Sequence, residues 1–197
     1  MVRFVSTRDK NGPSCSVSEA LLKGLAPDGG LYVPSTMPQR PSDFTLKEGV
    51  SYAMYQAIKP FFEGDELEGD LLQICQDAFN FPVPMKNLGG NKVLLELIYG
   101  PTSAFKDFGA RFLAFSMEKL LERRGEEKTI LVATSGDTGG AVAAAFWRQK
   151  CFSQREGWLK DREPSLLPGA ITSKAMKWME TSMTARRWSR KLSWINP

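Results

Sequence analysis

GPTSAFKDFGARF, residues 100 to 112, sets one lysine between a phenylalanine and an aspartate where an apolar run ends and a helical pattern begins. The run before it, KVLLELI at 92 to 98, reads as a strand, and the spacing after it predicts a helix over about 105 to 123. A second stretch has the same build: TILVAT at 129 to 134 leads through TSGDTGG into a helical pattern from about 138 to 148. Strands alternating with helices of this length predict an α/β fold with a parallel sheet covered on both faces. Both motifs then fall at the carboxyl ends of strands, the edge where open α/β sheets bind ligands.

Upstream the style differs. In SVSEALLKGLAPDGGLYVP, Ser16 and Glu19 have the spacing of a capping box, Gly24 stands where a left-handed residue ends a helix, and PDGG makes a turn before a short strand at Leu31 to Val33. Helical patterns recur at about 51 to 59 and 66 to 78, and the prolines of FPVPMKNL mark a boundary. Residues 2 to 80 are therefore expected to form a small, mainly helical domain, and 81 to 147 the opening part of the α/β domain.

Composition narrows the chemistry. The 197 residues contain no histidine, which removes Ser-His and Cys-His nucleophile pairs and most metal sites. Cys15, Cys75 and Cys151 have neither the number nor the spacing of a disulfide framework or zinc site. No apolar run approaches the length of a membrane span, and MVRFVSTRDKNGPS lacks the apolar core of a secretory signal, so a soluble cytoplasmic chain is expected. Acid and base work falls to Lys, Asp, Glu, Tyr or a cofactor.

Lys106 follows a Gly-Pro-Thr-Ser turn near a helix start, where free N–H groups and the dipole favour an anion. Desolvation beside Phe105 and Phe108 would lower its proton affinity and make it a nucleophile toward an aldehyde. The local pattern also fits a snorkelling surface lysine. TSGDTGG offers backbone N–H groups, hydroxyls and glycines that could cradle a carboxylate or phosphate, and it also fits a plain tight connection. It lacks the Gly-Lys-Ser/Thr ending of a nucleotide-binding P-loop.

Taken in order, STRDKNG…SVSEALLKGLAPDGGLYVP, LELIYGPTSAFKDFGARFLA and TILVATSGDTGGAVAAAF resemble the bacterial and fungal branch of the threonine synthases, nearly continuously over residues 2 to 147. The resemblance implies a pyridoxal-phosphate enzyme of the tryptophan-synthase-β fold class, a lyase that converts O-phospho-homoserine and water to threonine and phosphate. It implies that Lys106 carries the cofactor and moves protons at the substrate carbons. It also implies that Ser135, Gly136, Asp137, Thr138 and Gly139 hold the substrate carboxylate and touch the cofactor ring. Pyridoxal dehydratases and cysteine synthases share that fold class but do not usually carry the N-terminal STR…APDGGLYVP unit. Tyr99 departs from the family, which usually has histidine before Gly-Pro-Thr. The glycine-rich loop for the cofactor phosphate and the hydroxyl residue facing the pyridine nitrogen would follow later in a family member. A truncated chain without them is expected to be inactive alone, and a non-catalytic remnant or interaction protein is the alternative.

The last fifty residues depart from all of this. From 148 onward there are eleven bases against four acids, a net +7, which leaves −3 on residues 1 to 147. Four of five tryptophans lie there, with no sustained period of 2 or 3.6. If each codon is read displaced, as the last base of one residue's codon and the first two of the next, Cys151 to Trp158 allow LFPKGGV. Pro164 to Thr172 likewise allow QLTTWGDN, and Lys177 to Arg187 allow VDGDFDDCQA, all resembling threonine synthase sequence. Residues 148 to 197 are therefore expected to be an out-of-frame tail. A nucleic-acid or membrane segment is the rival reading, and the scatter of its bases over no single helical face argues against it.

Overall fold

The computed structural model describes residues 1–39, 41–130 and 137–147, which divide into two compact units. The first comprises Met1–Asn80 with Phe112–Glu126, and the second Phe81–Arg111 with the described residues from Glu127 onward.

The first unit opens with strand β1 (Phe4–Ser6), helix α1 (Val17–Lys23) and strand β2 (Tyr32–Pro34). The strands pair antiparallel, with Val5 opposite Val33. Helix α1 starts and stops where its sequence says. Ser16 Oγ accepts the Glu19 N–H at 3.2 Å, Glu19 returns a carboxylate to the Ser16 N–H at 3.0 Å, and Gly24 ends the helix at φ 71°. In the following turn Asp28 Oδ1 accepts the Gly30 N–H and the Ser6 hydroxyl, both at 2.8 Å. Those two hydrogen bonds hold the Asp28 carboxyl below its ordinary range.

Helix α2 (Val50–Phe62), a 3₁₀ turn (Glu68–Asp70) and helix α3 (Leu71–Ala78) complete the N-terminal part. The helical pattern expected from residue 66 thus becomes regular only at Leu71. Asp65 explains the delay: its buried carboxylate accepts the Leu67 N–H at 3.0 Å, the Ser18 N–H at 3.2 Å and the Ser18 hydroxyl. A side chain that satisfies nearby backbone in this way favours a turn over helix. The unit's core joins Phe62, Leu67, Leu71, Ile74, Cys75, Ala78 and Phe79 with Ala114, Met117, Leu120 and Leu121 of helix α4 (Lys106–Arg124), all buried. Phe112 stacks on Phe79 and meets Phe62 edge-on, with ring centroids 6.0 and 6.1 Å apart. Arg123 bonds the Glu66 carbonyl and the Asp70 carboxylate, and Arg124 pairs with Glu66 at 2.8 Å. Exposed pairs of this kind contribute at most about 1 kcal/mol each, so the apolar contact dominates.

In the second unit, strands β3 (Met85–Gly89) and β4 (Lys92–Leu95) form an antiparallel hairpin, with Met85 opposite Leu95. The expected strand at 92 to 98 is therefore shorter, pairs with its sequence neighbour and is exposed throughout. The physical reason is the turn: Gly89, Gly90 and Asn91 all take positive φ (81°, 56° and 61°), which folds the chain straight back. Helix α5 (Asp137–Phe146) matches the second expected helix. The strand expected at 129 to 134 and the tail from 148 lie outside the described residues, wholly for the tail and from 131 for the strand. Among the described residues no helix is long and apolar enough to cross a membrane.

Candidate active site

The segment before α4 is a turn held by its own polar groups. Ser103 N–H donates to the Gly100 carbonyl at 2.9 Å, and Asp107 N–H to the Ala104 carbonyl at 3.0 Å. Asp107 is 1% exposed, and its two carboxylate oxygens accept the Thr102 N–H at 2.9 Å and the Thr102 hydroxyl at 2.7 Å. Gly100 makes room for that carboxylate, since a Cβ there would lie 2.4 Å from Asp107 Oδ2. Ser103 takes φ 56°, a left-handed conformation uncommon for a residue with a side chain.

Lys106 is the first residue of α4 and is exposed. Its Nζ lies 5.0 Å from the centroid of the Phe105 ring, which is itself 60% exposed. Phe108 turns instead to Phe81, edge-on at 5.0 Å, and the Arg111 guanidinium also faces the Phe81 ring. The expected desolvation of Lys106 between two phenylalanines is thus corrected: one ring covers it loosely and the other packs elsewhere. Among the described residues no carboxylate pairs with the Lys106 amine. The start of α4 is also less open to an anion than the sequence suggests, because the Asp107 N–H is already bonded and the Phe108 N–H reaches the Phe105 carbonyl at 3.3 Å.

Asp137 and Thr138 open helix α5 and are exposed, while Gly139 is buried. Ser135 and Gly136 lie outside the described residues. Tyr99 donates its hydroxyl to Glu96 Oε2 at 3.3 Å, and Glu96 Oε1 pairs with Lys86 at 2.5 Å. The Glu96 carboxylate, by hydrogen bond and charge, raises the proton affinity of Lys86. No group of acidic and cysteine residues among those described could hold a metal ion. Sequence reasoning missed Asp107 as a buried group; the signal was a carboxylate directly after the lysine and five residues after a threonine.

Residues 3–79 match the family model for the threonine synthase N terminus. The chain is 38% identical over 153 residues to threonine synthase from Pseudomonas aeruginosa, covering 72% of this chain and 32% of that one. Against the Escherichia coli enzyme it is 38% identical over 154 residues, covering 74% and 34%. Among solved structures, the PLP-bound threonine synthase from Brucella melitensis superposes with a TM-score of 0.70 at 37% identity, over 78% of this chain and 34% of that one. The yeast threonine synthase gives 0.60 at 29% identity, over 77% and 34%. The chain spans about a third of the length of the relatives it matches, and over that shared part it has their fold, an α/β architecture preceded by an N-terminal domain. By sequence, by family model and by fold together, the chain is similar to the threonine synthases, and its residues 3–79 match their N-terminal domain.

Proposed function

We propose that this chain is the N-terminal part of a pyridoxal-phosphate-dependent lyase acting on O-phospho-homoserine, with Lys106 as the covalent anchor of the cofactor. The observation that carries the reading is the placement of Lys106. It is exposed on the first residue of α4, behind a turn fixed by two bonds to the buried Asp107 carboxylate, with no carboxylate paired to it among the described residues. An exposed amine on a rigid element suits condensation with an aldehyde. Residues 2 to 80 serve as the N-terminal domain and 81 to 147 as the opening part of the catalytic domain.

When bound, pyridoxal phosphate draws electrons from the substrate's α-carbon. Lys106 holds the cofactor, then accepts and returns protons at the substrate carbons once its amine is free. Ser135 and Gly136, which precede α5 in sequence, and Asp137, Thr138 and Gly139, in its first turn, orient the substrate carboxylate with hydroxyl and backbone N–H groups. The product pair is threonine and phosphate. Chemistry of this class belongs to a cytoplasmic enzyme with a small-molecule substrate, without nucleic acid or membrane as partner.

Residues 148 to 197 are read as out of frame, so this chain alone does not complete the reaction. Resequencing across the codons for Val142 to Arg155 tests the frame: a corrected frame that restores LFPKG and a family-like continuation makes the tail an artefact, and a confirmed shift makes the chain a broken gene product. A stable cooperative fold of a peptide spanning 150 to 197, seen by circular dichroism in water, would count against the out-of-frame reading. Mixing the protein with pyridoxal phosphate tests the anchor. A visible absorption band that Lys106→Ala abolishes is the expected result; a band that survives the substitution moves the anchor to another lysine. No band in the unaltered chain favours the non-catalytic remnant.

A further inference from the structure

We propose that Asp107 is a positioning residue for Lys106: its buried carboxylate clasps Thr102 and so fixes the turn that delivers the lysine to the head of α4. The inference rests on the reading of Lys106 as the covalent anchor.

The two neighbours in sequence have opposite environments. Lys106 is exposed, whereas Asp107 is 1% exposed, although an ionised carboxylate is costly to bury without partners. Both of its oxygens are bound by one residue, through the Thr102 N–H at 2.9 Å and the Thr102 hydroxyl at 2.7 Å. An acid in the first turn of a helix commonly acts on the helix dipole from the surface. This one turns back to a residue five positions earlier and closes the turn as a ring. Gly100 leaves the space in which the carboxylate lies. Ser103 holds its left-handed conformation inside the same ring, a state that persists only where surrounding bonds over-determine it. No ion pair joins Asp107 to Lys106 among the described residues, and the bonds to Thr102 give the carboxylate a route to the lysine through backbone geometry, as distinct from charge.

That distinction sets the variants. Asparagine at 107 has the same shape, with an oxygen for the Thr102 N–H and an amide N–H₂ that can donate to the Thr102 hydroxyl. Asp107→Asn therefore keeps the clasp without the charge, and Asp107→Ala removes it. Thr102→Ser keeps both bonds, and Thr102→Val loses the hydroxyl.

The test is selective labelling of the whole chain. Pyridoxal phosphate condenses with a lysine amine, releasing water; borohydride then transfers hydride to the carbon while the nitrogen takes a proton, and peptide mass spectrometry locates the product. Lys106 should label in preference to Lys86 and Lys92 in the unaltered protein, in Asp107→Asn and in Thr102→Ser. In Asp107→Ala and Thr102→Val that preference should fall roughly tenfold, with circular dichroism unchanged. Undiminished preference in Asp107→Ala overturns the inference, and so does its loss in a folded Asp107→Asn. If the unaltered protein shows no preference for Lys106, the anchor reading fails, and hydrogen exchange at the Thr102 amide decides the clasp by itself. Slow exchange in the unaltered chain and in Asp107→Asn, made fast by Asp107→Ala, supports the clasp. Fast exchange in the unaltered chain overturns it.

Discussion

Asp65 and Asp107 are buried carboxylates at two changes of chain direction, and each spends its oxygens on N–H and hydroxyl groups, those of Thr102 for Asp107 and those of Leu67 and the distant Ser18 for Asp65. Asp65→Ala leaves the Ser18 and Leu67 N–H groups without their acceptor, so urea denaturation should show a loss of about 1–3 kcal/mol. Asp28 works from the surface. Its folded pKa lies below the unfolded value, so its contribution is complete above about pH 4 and is lost as pH falls through the folded value. Stability measured from pH 6 down to pH 2 should therefore decline less steeply in Asp28→Asn than in the unaltered protein. Cys75 is wholly buried, and burial pushes its thiol up to about 12. Alkylation at pH 8 should be at least about a hundredfold slower at Cys75 in the folded chain than in urea, because the thiolate is the reacting species.

Elements whose ends are set by neighbouring residues were legible beforehand. Helix α1 is bracketed by Ser16, Glu19 and Gly24, all within one turn of its ends, and every one of those bonds is present. Replacing Ser16 with alanine should cost about 0.5–2 kcal/mol by thermal unfolding. Helix α4 was equally plain from its apolar spacing, beginning at Lys106 and ending at Arg124. The β3–β4 hairpin was not. Its second strand looked like a buried strand because VLLELI is apolar, and only the left-handed Gly89, Gly90 and Asn91 reveal the reversal. The helix before it, α3, lost its first turn to Asp65, a residue whose role depends on Ser18, 47 positions away.

At the scale of the whole molecule, the two units differ in how their apolar residues are used. The first buries Leu67, Leu71, Leu120 and Leu121 completely, and Leu71→Ala should cost about 2–5 kcal/mol. The second leaves Met85, Val93 and Leu95 on one face of its hairpin at 62%, 61% and 48% exposure. Exposed apolar strands promote association, so light scattering should show less self-association in a Val93→Lys, Leu95→Lys variant than in the unaltered chain. Sequence by itself determined the family likeness, the order of motifs, the caps of α1 and the place of Lys106 at a helix start, because each depends on residues within a few positions of one another. Only the tertiary structure decided that Lys106 stays exposed, that Asp65 and Asp107 are buried, and that KVLL lies open in an antiparallel hairpin. Burial is set by what packs against a residue from elsewhere in the chain, and a local pattern of apolar and polar residues carries no record of that partner.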